Sequence, residues 1–159
     1  MLSMVVLGLS TQPGSGKPVV SCVVLEGSRD TPRRTQAYEL KTSATEIIPQ
    51  IEDLCGKLSS QLSALQPDAV VIRVADMSPP NRSNGPRYRL MIEGALAYVC
   101  SDHKVAEVVF RNGKECGEAL AMKKSAAMSL GKTVDPQRAE AAAAALSALP
   151  AASTTGLTP

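Results

Sequence analysis

The stretch LGLSTQPGSGKPVV, residues 7–20, decides how this chain folds. Read as a Gly-Lys loop, it would open a parallel sheet built around a nucleotide. Read as a turn, it joins two strands back to back. A phosphate-binding loop needs a glycine, four residues, then Gly-Lys and Ser or Thr, so that backbone N–H groups wrap the phosphates and a hydroxyl reaches the metal. Counting back from Gly16, the first glycine position holds Thr11. The hydroxyl position holds Pro18, which has neither a hydroxyl nor an N–H. A second apolar strand follows where a helix would be required. Pro13, Gly14 and Gly16 between two apolar runs read as a hairpin connection.

Working outward, the spacing predicts strands over 4–10, 18–27 and 35–41, joined by short connections into an antiparallel meander. Ile47, Ile48, Ile51, Leu54, Cys55, Leu58, Leu62 and Leu65 then form the apolar stripe of an amphipathic helix. Thr45 or Ser43 is the expected cap, with Pro49 in the first turn. AVVIRVA, residues 69–75, is a β-branched run of the kind that is buried on both faces, usually in parallel pairing. A loop over 76–86 leads to a helix opened by Pro86, with Tyr88, Met91, Ile92, Ala95, Leu96 and Val99 expected inward. A fifth strand is expected over 104–110. One further helix is expected within 112–131, capped by Asn112 and stopped at Gly131. The last helix would start with Asp135 as cap and Pro136 in first position, and run through an alanine-rich body.

The order β-β-β-α-β-α-β-α-α predicts an α/β fold: a five-stranded mixed sheet of three antiparallel strands followed by two β-α units, with helices on both faces. Length fits one domain, 1–149, with a small polar tail over 150–159 expected to be disordered. The net charge of +2 says little about partners, but its placement is uneven. Residues 1–80 carry 7 Lys/Arg against 8 Asp/Glu, and residues 81–159 carry 10 against 7. The second half therefore admits a nucleic-acid face without requiring one. One Phe, three Tyr and no Trp argue against a base-stacking single-strand binder. The four cysteines, Cys22, Cys55, Cys100 and Cys116, form no C-x-x-C pair and are expected as buried reduced thiols. The N-terminus reads as a strand and no run reaches membrane-spanning length, so a cytoplasmic protein is the expectation. His103 precedes a strand with no catalytic partner nearby in sequence, which disfavours a Ser-His-acid hydrolase.

VVLGLS on the first strand, PDAVVIRVAD on the fourth and DPQRAEAAAAALSAL on the last helix resemble the corresponding segments of RuvC-type Holliday junction resolvases, within the ribonuclease H-like superfamily. Those read Gly-Ile-Asp, Ile-Glu and Asp-Ala-x-Ala-x-Ala. The block VVIRVADMSPPNRSNGPRYRLMIEGALAYV is similar to a small uncharacterised bacterial family of that fold. The resemblance runs from residue 4 to about 149 and implies a ribonuclease H-like fold.

It also implies where the chemistry would lie. Such nucleases hold two Mg²⁺ ions about 4 Å apart with carboxylates. The matching positions here carry Ser10, Arg73 and Glu140, leaving one acid of three. Asp76 and Asp135 are the possible substitutes, while Glu93 reads as a charge on a helix surface. The expectation is a degenerate site, with no metal and no confident catalytic residue, in which Arg73 and Glu140 pair where the ions would sit. Nucleic-acid contacts would come from Arg82, Arg87, Arg89, Lys123 and Lys124. The alternatives are an active Mg²⁺-dependent nuclease with relocated carboxylates, or a non-enzymatic homodimeric interaction protein that packs small-residue helix faces together.

Overall fold

The structure, a computed structural model, describes residues 3–14, 16–76 and 85–151. Its elements are β1 (Val5–Gln12), β2 (Val19–Gly27), β3 (Pro32–Lys41), α1 (Ile47–Leu65), β4 (Ala69–Arg73), α2 (Gly85–Asp102), β5 (Glu107–Arg111), α3 (Gly113–Ala119), α4 (Lys124–Val134) and α5 (Ala139–Leu146). The sheet has the order β3-β2-β1-β4-β5. β1, β2 and β3 pair antiparallel, and β4 and β5 run parallel to β1. The 7–20 stretch is a hairpin with Gly14 and Gly16 at positive φ, the conformation glycine adopts without strain. This is the five-stranded mixed α/β sheet expected, with one more helix.

Each face of the sheet has its own core. Leu7, Leu9, Val70 and Ile72 point to the side covered by α1 and α2, and meet Leu54, Leu58, Ile92 and Leu96. Val6, Ala69 and Val71 point to the other side, under α5 and its neighbours. The alternation along β1 and β4 therefore sorts every residue to one face. Gly8 faces α5, and a Cβ there would lie 2.1 Å from the Ala141 carbonyl oxygen. Gly131 is an equivalent notch on α4, where a Cβ would lie 2.3 Å from the Ala139 oxygen. The alanine helix is thus clamped between two glycines, with Ala141 through Leu146 buried.

Several boundaries differ from expectation. The region 112–131 holds two helices. The Met122 N–H returns to the Gly117 oxygen, and Ala121 takes a left-handed φ of 57°, which turns the chain between them. Asn112 does cap α3, in a reciprocal box with Glu115. Gly131 lies inside α4 rather than ending it. Asp135 does not cap α5. Its Oδ1 accepts from the N–H groups of Gln137 and Arg138, which makes a separate turn and delays the helix to Ala139. Neither Thr45 nor Ser43 caps α1, whose N-cap is Glu46 without a side-chain bond. Gln50 anchors that end by donating to the Ala44 and Gly16 oxygens. In α2 the buried positions are Ile92, Glu93, Leu96 and Cys100. Tyr88 and Met91, expected inward, are exposed, because the 92-96-100 stripe is the one turned to the sheet. Among the described residues no helix is long and apolar enough to cross a membrane.

Candidate functional site at the carboxyl ends of the central strands

β1 and β4 run parallel, so both end at the same edge of the sheet, where ligands enter open α/β folds. Ser10 and Arg73 are register partners there, and both are buried. Strand alternation turns both toward the α5 face, which brings Glu140 in the first turn of α5 over them. The Arg73 guanidinium lies 3.6 Å from Glu140 and 3.7 Å from Asp76. The pair expected from the sequence is therefore formed. Gly113 leaves room for it, since a Cβ there would come within 2.7 Å of Arg73 Nη2.

A second arginine extends the cluster. Arg89 on α2 reaches Glu140 at 3.8 Å and Glu93 at 3.6 Å, and donates to the Arg73 carbonyl at 3.3 Å. Lys124 donates to Asp76, whose other oxygen accepts from the Gly113 N–H at 3.1 Å. Three cations and three carboxyl groups thus alternate around one edge. Lys124, then Arg73 and the Gly113 N–H, hold the Asp76 carboxyl below its usual range against the opposing effect of burial. Burial pushes Glu93 up to about 7, against the pull of Arg89 and Arg73. Glu93 is only 1% exposed, so the expected surface charge is a buried carboxyl.

The other acids are committed elsewhere. Asp135, buried, pairs with Arg34 at 3.0 Å and Arg138 at 3.3 Å in addition to its two backbone bonds. Among the described residues no three Asp, Glu, His or Cys side chains gather as a cation site would need. The residues at this edge do not fit a pair of divalent ions: a guanidinium stands between the two nearest carboxylates, and Ser10 offers a neutral oxygen. Ser10 Oγ instead accepts from Gln12 at 3.3 Å. Beside it opens a cleft of ≈ 440 Å³ walled by Ser21, Lys132, Gln137, Arg138 and Glu140.

Of the expected cationic contacts, Arg87, Lys123 and Lys124 lie on the surface, and Arg82 lies outside the described residues. Arg89 points inward. Arg89 and Glu93 were legible as an i,i+4 pair flanking the 92-96-100 stripe. Lys124 against Asp76, far apart in sequence, gave no such signal. His103 shares a 2.7 Å hydrogen bond with Ser59 beyond the other end of α2, away from this edge. All four cysteines are free thiols, and burial raises Cys100 to about 12.

Sheet order, parallel β1-β4-β5 and helices on both faces define a ribonuclease H-like fold. No protein-family model matches the sequence, and no curated protein matches it. Among solved structures the chain is similar to Thermus thermophilus RuvC, at 20% identity and a TM-score of 0.65, covering 91% of this chain and 92% of that one. T. thermophilus RuvC in complex with Holliday junction substrate gives 18% identity and 0.65, with 91% of each chain covered. The yeast mitochondrial Holliday junction resolvase gives 14% identity and 0.59, covering 89% of this chain and 76% of that one. These likenesses establish the fold.

Proposed function

We propose that this chain binds nucleic acid, directly or beside a nucleic-acid-processing partner, through a resolvase-like domain whose metal site has become an ion-pair cluster. One observation carries the reading: the Arg73 guanidinium lies between Asp76 and Glu140, where the resemblance would put divalent ions. A fixed cation there repels a metal and engages the carboxylates that would ligate it. The neighbour solved with a Holliday junction supports nucleic acid as the ligand class. Arg87 and Lys123, exposed near the same edge, supply phosphate contacts, which give affinity without sequence preference. Lys124 is shared with Asp76.

The test is a low-salt gel shift on duplex DNA, a four-way junction and RNA, each then incubated with Mg²⁺ or Mn²⁺. Retarded bands that fade as salt rises, with intact strands, support the proposal. Failure to retard any of the three overturns binding. Cleavage that Glu140→Gln abolishes overturns the silent site and establishes a nuclease with relocated carboxylates instead.

A further inference from the structure

A cavity of ≈ 240 Å³ opens between the β1–β2 hairpin and the first turns of α1 and α2. It lies on the face of the sheet covered by α1 and α2, and none of its walls belongs to the ion-pair cluster around Arg73. Gly16 closes it on the hairpin side, Tyr88 and Ile92 on the α2 side, and Glu46, Ile47 and Gln50 on the α1 side.

The α1 wall offers donors. That helix opens without a side-chain cap. The N–H groups of Ile47 and Ile48 have no partner among the described residues, Pro49 has no N–H, and the Gln50 N–H donates to the Glu46 oxygen at 3.0 Å. Two free N–H groups at the positive end of a 19-residue helix therefore border the cavity.

The same wall offers acceptors. Gln50 is only 3% exposed. Its Nε2 donates to the Gly16 oxygen at 2.8 Å and to the Ala44 oxygen at 3.0 Å, which uses both amide protons. Turning the amide over would set its oxygen against two carbonyls, so the orientation is fixed. The Gln50 Oε1 accepts from no donor among the described residues and is not sealed inside the protein, which leaves it facing the cavity. The Glu46 carboxylate stands beside it at the mouth. An anion alone would meet that carboxylate, and a cation alone would meet the helix N-terminus. A ligand that carries both charges on adjacent atoms satisfies both.

We propose that this cavity takes a free α-amino acid with an apolar side chain. Its carboxylate accepts from the Ile47 and Ile48 N–H groups, and its ammonium donates to Gln50 Oε1 and the Glu46 carboxylate. Its side chain lies against Ile47, Tyr88 and Ile92. The volume is below the about 300–1,000 Å³ of pockets for drug-sized ligands, which suits a molecule of this size. The site is independent of the nucleic-acid reading, and either can fail without the other.

Isothermal titration calorimetry of the full chain tests the site with four probes: L-leucine, L-methionine, N-acetyl-L-leucine and L-leucinamide. Leucine or methionine should bind saturably. N-acetyl-leucine, which lacks the ammonium, and leucinamide, which lacks the carboxylate, should each bind at least several-fold more weakly. Glu46→Gln should weaken the amino acid several-fold, and Thr45→Trp, on the cavity wall, should block it. Both positions are exposed, so both variants should keep the wild-type circular dichroism. The proposal is overturned if neither amino acid binds, if either capped form binds as well as leucine, or if binding is indifferent to both substitutions.

Discussion

Arg73 decides what the carboxyl edge of the sheet can do. A buried guanidinium between two acids satisfies their charge but leaves no vacancy for a hard cation. Such pairs hold geometry more reliably than they add stability. Arg73→Glu should invert both properties. Without metal, four carboxyl groups would crowd one edge, and the thermal transition should fall by the equivalent of about 2 kcal/mol or more. With millimolar Mg²⁺ the variant should recover part of that loss, while the wild-type transition stays put. A scanning fluorimetry titration checks both arms, and a variant indifferent to Mg²⁺ would show that the remaining Arg89 and Lys124 still exclude the ion. Glu93 gives a second prediction. Its carboxyl is raised from 4.5 to about 7 in the fold, so the folded state holds more protons than the unfolded chain between those values. Stability carried by Glu93 is therefore present at low pH and is lost as pH rises toward 7. Glu93→Gln cannot ionise. Relative to the wild type it should gain stability from about pH 4.5 to about pH 7 and hold a constant gap above, as read by urea denaturation across pH. A gap that does not change with pH would mean that Glu93 titrates alike in the folded and the unfolded chain.

At the scale of elements, α5 is held by contact rather than by caps at its start. Its backbone lies on Gly8 of β1 and its first turn on Gly131 of α4, while Arg111 and Arg29 donate to the Ser147 carbonyl at its far end. Gly8→Ala should cost about 1–3 kcal/mol or more, since the Cβ meets backbone that can move only with the whole helix. Gly56, inside α1 with nothing within 4 Å of a Cβ, is the control: Gly56→Ala should add about 0.5–1 kcal/mol. Chemical denaturation of the two variants, side by side, reads the contrast. This geometry also explains which elements could be read in advance. β1, β2, β4 and α1 announce themselves because their apolar residues follow the period of the element and face the core. The split into α3 and α4 was hidden because the reversal rests on a left-handed alanine, Ala121, a residue with no turn signature. The α5 start was misplaced because Asp-Pro is an equally good turn, and Arg34, 101 residues away, selects the turn by pairing with Asp135. The inward rotation of α2 depended on which of two stripes met the sheet, a tertiary choice. At the site, the Arg73–Glu140 pair was legible because strand and helix positions were both fixed by pattern, whereas the Asp76–Lys124 contact needed the fold itself.

For the molecule as a whole, a net charge of +2 cannot drive nucleic-acid affinity by itself, so binding must depend on where the charge sits. Lys123 and Lys104 are both exposed, and neither forms an ion pair among the described residues. Lys123 precedes α4 beside the Asp76 cluster, while Lys104 follows the far end of α2, at the opposite end of the sheet. Lys123→Glu and Lys104→Glu change the total charge identically. If a general attraction were responsible, both would weaken binding alike. If phosphates lie along the carboxyl edge, only Lys123→Glu should weaken it, equally for every sequence tested, and the slope of log affinity against log salt should shrink by about 1. Salt-titrated fluorescence anisotropy on a four-way junction and a plain duplex separates the two cases. Equal losses from the two variants would move the binding face away from the ion-pair cluster.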